Sequence, residues 1–147
     1  MKRFTFRLDK VLDYRGYLVK KAQVALSSSR NEVKRRENKA QRLSRERVDV
    51  ARECMQEGVK GLDVARYRIY QYYLHGLNGD IEKANISLKE GQQEVAIKKA
   101  ALINESVKKK ALETLKDSQH RKFKEISEKA EQKALDEIAI IERNRKK

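Results

Sequence analysis

Apolar residues recur at three- and four-residue steps through most of the chain, and polar residues fill the intervals. Val11, Leu12, Leu18, Val19, Ala22 and Leu26 share one face of a helix at that spacing. The same seam runs on through Val33, Ala40, Leu43, Val50 and Cys54, with Ser29, Arg36 and Arg47 as polar interruptions. Charged residues at seam positions cost stability but help to fix register and partner number. An extra four-residue step near Ala22–Leu26 predicts a stutter and a locally shallow supercoil. Phe4, Phe6 and Leu8 lead into this helix, which is predicted over residues 2–57. Gly58 and Gly61 are expected to end it, because glycine tolerates the left-handed angles that close helices.

Asp63 then suits the N-cap of a new helix. Residues 64–77 hold four of the six tyrosines, Tyr67, Tyr70, Tyr72 and Tyr73, and Gly76 and Gly79 follow on either side of Asn78. This spacing predicts a short tip helix that stops or kinks at the glycines. A second long helix is predicted over 80–143. Its stripe runs through Ile81, Ala84, Leu88, Val95 and Leu102, weakens over residues 105–110, and recovers through Leu112, Leu115, Phe123, Ile126, Ala130, Ala134, Ile138 and Ile141. Residues 144–147 read as a frayed tail. Two long helices of near-equal length, each roughly 85–95 Å by helical rise, favour an all-α, antiparallel two-helix coiled-coil hairpin. The chain is then one coiled-coil domain over 1–147, with a turn at 58–63 and the tyrosine-rich piece at the tip, away from both termini. One unbroken helix over 63–143, overhanging the first by several turns, is the competing layout.

Composition supports the helical reading and narrows the function. Charged residues make up 39% of the 147 residues, aromatics 6%, and there is no proline or tryptophan. Such a chain builds a thin seam rather than a thick core, and a thin seam offers no enclosed pocket of the kind enzymes use. The single cysteine, Cys54, excludes an intramolecular disulfide and suits a reducing compartment. No stretch approaches the ~20 apolar residues of a membrane span, and the basic N-terminus has no apolar run behind it, so a cytoplasmic protein is expected. The formal net charge is +14, and residues 1–60 hold 17 Lys and Arg against 8 Asp and Glu. That excess implies an acidic partner, a nucleic acid or an anionic surface.

The search for chemistry yields no catalytic residue, no metal site and no cofactor. Gly58-Val59-Lys60-Gly61 lacks the spacing and hydroxyl of a phosphate-binding loop. His75 and His120 have no ligand partner one helical turn away. Arg30, Lys34, Arg35, Arg36, Lys39, Arg42, Arg45 and Arg47 superficially suit a basic DNA-reading helix. The leucine heptads that such a helix needs do not follow, and Glu32, Glu37 and Glu46 interleave, so nucleic acid is not the expected partner. Tyr70 and Tyr73, with Tyr67 one turn earlier and Leu74 and Leu77 beyond, line one helix face. They either seal the end of the hairpin or are displayed to a partner, since tyrosine is favoured at binding hot spots.

These residues resemble a known family. Phe4-x-Phe6-Arg7-Leu8-Asp9-Lys10-Val11-Leu12 is similar to the opening of FliJ flagellar export proteins. Glu131-Gln132-Lys133-Ala134-Leu135-Asp136-Glu137-Ile138-Ala139 is similar to a stretch near their C-terminus, and Arg66-Tyr67-x-x-Tyr70-Gln71-x-Tyr73 to their aromatic turn. The resemblance implies a non-enzymatic stalk, akin to the γ-subunit coiled coil of rotary ATP synthases. Such a stalk inserts into the flagellar export ATPase hexamer and contacts the cytoplasmic domain of the membrane export gate. It implies a cytoplasmic location at the inner membrane through these partners, without direct membrane insertion. Phe4, Phe6, Leu8, Val11 and Leu12, paired with Phe123, Ile126, Leu135, Ile138 and Ile141, would enter the ring. Tyr67, Tyr70, Tyr73, Leu74 and Leu77 would meet the gate. Gly76 and Gly79 depart from the family pattern, which is helical there. A virulence-type secretion stalk and a generic coiled-coil adaptor share most of these features.

Overall fold

The computed structural model describes residues 3–145. Two helices account for nearly all of them: α1, Asp9–Val59, and α2, Val64–Arg145. They pack against each other as an all-α hairpin. α1 starts later than the sequence predicts. Residues 3–6 are irregular and 7–8 form a turn, closed where Asp9 N–H donates to the Phe6 carbonyl (3.2 Å).

The connection is four residues, 60–63. Gly61 takes φ +96° there, a conformation that a side chain would strain. Tyr67 N–H donates to the Asp63 carbonyl (2.9 Å), which puts Asp63 at the N-cap of α2 as expected. The separate tip helix is not formed. α2 runs unbroken for 82 residues through Gly76 and Gly79, because two glycines weaken a helix by about 1 kcal/mol each without preventing it. The competing unbroken layout is the correct one. Asn144 and Arg145 are helical rather than frayed, and the rest of the predicted tail lies outside the described residues.

The buried positions follow a strict seven-residue repeat. On α1 they are Val19, Leu26, Ala40 and Cys54; on α2 they are Leu77, Ala84 and Gly91. That is the spacing of a coiled-coil seam. No stutter appears at Ala22–Leu26, since Val19, Ala22, Leu26, Ser29 and Val33 are all at least half-buried at alternating three- and four-residue steps.

The chain divides into two compact units. In the first, residues up to Lys20 pack on those from Asn104 onward. Phe6 is buried there, the Phe4 ring meets His120 edge-on at 5.0 Å and Phe123 at 5.7 Å, and Lys116 pairs with Asp9 (2.7 Å). The second unit is Lys21–Ile103. Here Arg36, at a seam position, crosses to the Ser87 carbonyl (2.8 Å) while its Nε donates to Glu32 (3.2 Å). The crossing passes close over Gly91, where a Cβ would stand 3.2 Å from both Arg36 Nη1 and Val33 Cγ2 and force them to shift. The polar interruption read from the sequence is thus a register lock, built from an arginine and a glycine.

Candidate interaction surfaces

The residues expected to enter a ring divide into two groups. Phe4, Phe6, Leu12 and Phe123 are half-buried or buried in the packing of the first unit, while Leu8 and Val11 lie at its margin, just over one-third exposed. Ile126, Leu135, Ile138 and Ile141 are more than half exposed. From Glu128 to Arg145 every residue of α2 is exposed. The expected pairing of Phe4–Leu12 with residues as far along as Ile141 is therefore corrected, although Phe4 does meet Phe123. The N-terminal segment pairs instead with residues around Glu105–Phe123, as the Arg15–Glu105 (3.4 Å) and Asp9–Lys116 ion pairs show. The cause is the unbroken second helix. α2 begins at Val64 rather than residue 80, and α1, at 51 residues against 82, runs out first.

The seam chemistry does not stop where α1 does. Ile126, Ala130, Ala134, Ile138 and Ile141 follow one another at steps close to 3.6 residues, a stripe along one side of the helix. Ile140, also exposed, stands beside it. The sequence reading missed Ile140, although it lies two heptads beyond Ile126. Lysines and acids such as Lys129 and Glu142 flank the stripe.

The expected gate residues also divide. Leu77 is 4% exposed and belongs to the seam, so it is not a display residue. Leu74 and Tyr70 are half-buried. Tyr67 and Tyr73 are close to half exposed, and Tyr72, which was left out of the candidate set, is 83% exposed. The phenols bind across to α1: Tyr70 donates to Glu53 (3.2 Å) and Tyr73 to Glu46. Both phenol pKa values are raised. For Tyr70 desolvation leads, followed by the Glu53 hydrogen bond; for Tyr73 the bond to Glu46 leads. Arg47, the second seam arginine, donates to Asn78 Oδ1 (2.6 Å). Close by, a groove of about 550 Å³ is lined by Cys54, Met55, Val64, Tyr67 and Leu74, among others. Met55, Val59 and Val64 at this turn are largely exposed and were not foreseen. A heptad count from Cys54 would have placed Met55 and Val59 off the seam.

Among the described residues no group of three or more His, Cys, Asp and Glu side chains could hold a metal ion, and no helix is long and apolar enough to cross a membrane. The fold and these surfaces define a two-helix coiled-coil protein with exposed apolar helix faces. The model of the flagellar FliJ protein family matches residues 4–147, and the chain belongs to that family. It is accordingly a component of flagellar protein export, in a family not known for enzymatic activity. No curated protein and no solved structure matches it significantly.

Proposed function

We propose that this chain is the stalk of the flagellar export ATPase: α2's terminal stretch enters the hexamer, and the tyrosine-bearing turn meets the cytoplasmic domain of the export gate. The observation that carries the reading is the apolar stripe from Ile126 to Ile141, which continues seam chemistry along a stretch where every residue from Glu128 to Arg145 is exposed. Removing that apolar area from water favours a partner at about 25 cal/mol per Å². A ring whose bore is lined by apolar side chains supplies such a cover, and neither surface needs to do chemistry. The stalk's basic excess would steer it to acidic surfaces on these partners and speed association more than it deepens affinity. Its place at the inner membrane is then through its partners.

Truncation after Ser127 tests the ring contact, since residues 128–145 are all exposed. The shortened chain should keep its melting temperature but fail to stimulate or assemble the export ATPase at stoichiometric amounts. A shortened chain that stimulates the ATPase as well as the full-length protein would reject the reading. For the gate contact, Tyr72→Ala with Tyr73→Ala should weaken capture by the gate's cytoplasmic domain while leaving ATPase binding intact.

A further inference from the structure

The first turns of α2 are held differently from the stretch that follows, Leu77–Gly91, which carries the helix's buried residues. No residue from Val64 to Gly76 is buried, and burial along α2 begins at Leu77. The segment is tied to α1 by the exposed Tyr70–Glu53 and Tyr73–Glu46 hydrogen bonds and by half-buried Leu74. Few buried contacts and exposed polar ties are the marks of a segment that opens locally. Its two ends are also weak. At one end lies the 60–63 connection with Gly61 at positive φ. At the other, Gly76 and Gly79 sit within the helix, where an added Cβ would meet nothing within 4 Å. Gly91 in the same helix is closely approached by Arg36 and Val33; this pair is approached by nothing. Asn78 between them is a further poor helix former.

We propose that Val64–His75 is a flap that swings away from α1 about a hinge at Gly76–Gly79, with Leu77 as the first anchored residue beyond it. Opening breaks the two tyrosine–glutamate bonds and frees Leu74. It also uncovers Cys54, which is 8% exposed and shares its groove with Tyr67 and Leu74. The open state presents a larger apolar surface than the closed one, so a partner that binds it shifts the population toward opening.

Cys54 is the only cysteine, so labelling by excess maleimide reports access to this one site. The wild type should label under native conditions at a rate that depends little on low concentrations of urea. Gly76→Ala with Gly79→Ala, for which there is room, should slow labelling about tenfold or more, from the combined helix preference of two alanines. Gly16→Ala serves as control: it lies in the other unit, is helical, and also has open space. It should leave the rate unchanged. Equal slowing by Gly16→Ala would mean that the thiol is reached only by unfolding of the whole molecule, and the flap would be rejected. An unchanged rate in the Gly76/Gly79 double variant would reject the hinge. Hydrogen exchange gives a second reading, in which amides of residues 66–76 should exchange faster than those of 81–99; equal protection would overturn the proposal.

Discussion

Leu77 and Tyr73 are four residues apart on one helix, yet their surroundings diverge. Leu77 is closed into the seam, while Tyr73 is nearly half exposed and keeps its hydroxyl on Glu46. Leu77→Ala should therefore lower stability by about 2–3 kcal/mol, as for other buried leucines. Tyr73→Ala should cost about 1 kcal/mol or less. Urea unfolding of the two variants side by side checks this, and equal losses would contradict the assignment. The phenols add a dependence on pH. Their folded pKa values lie above the ordinary 10.0, so the stability they contribute is complete below pH 10 and is lost as pH rises through the raised folded values. Lys116, raised chiefly by its hydrogen bond to Asp9, acts in the same direction. Tyr73→Phe should show a shallower fall in unfolding midpoint than the wild type as pH rises above the ordinary phenol value; an identical profile would remove Tyr73 from the cause.

At the scale of elements, the repeat of apolar residues was enough to read two long helices, their antiparallel return and the turn before Asp63. Heptad periodicity is a local property that survives without any knowledge of the partner. The length of α2 was not legible, because glycine propensity at Gly76 and Gly79 argued for a break that 82 residues of cooperative helix override. The pairing error followed from that one. Once the second helix starts at Val64 instead of residue 80, each of its residues meets α1 nearer the N-terminus, as Arg15–Glu105 and Asp9–Lys116 show, and Ile138 loses the partner that near-equal helices would give it. The burial of Leu77 was hidden for a related reason. Tyr70, Tyr73, Leu74 and Leu77 fall on one broad face, and only the register set by contacts such as Arg36–Ser87 and Arg47–Asn78 decides which edge of it turns inward. Gly91 carried no readable signal, since its meaning depends on Arg36 of the other helix.

In the molecule as a whole, labour is divided between covered and uncovered seam. Where α1 lies against α2, apolar residues hold the fold; beyond Ser127 the same residue types are left over for something else. This separation makes the central claim directly testable with one substitution. Ile138 is 54% exposed, so Ile138→Asp should change unfolding stability by no more than about 0.5 kcal/mol. In a ring bore, by contrast, it would bury an unpaired carboxylate, which is costly. The decisive measurement is the rate of ATP hydrolysis by the export ATPase titrated with wild-type or Ile138→Asp protein, each shown by thermal unfolding to be equally folded. The account predicts stimulation by the wild type and at least tenfold weaker apparent binding for the variant. Full stimulation at the same concentrations by the Ile138→Asp protein would contradict it.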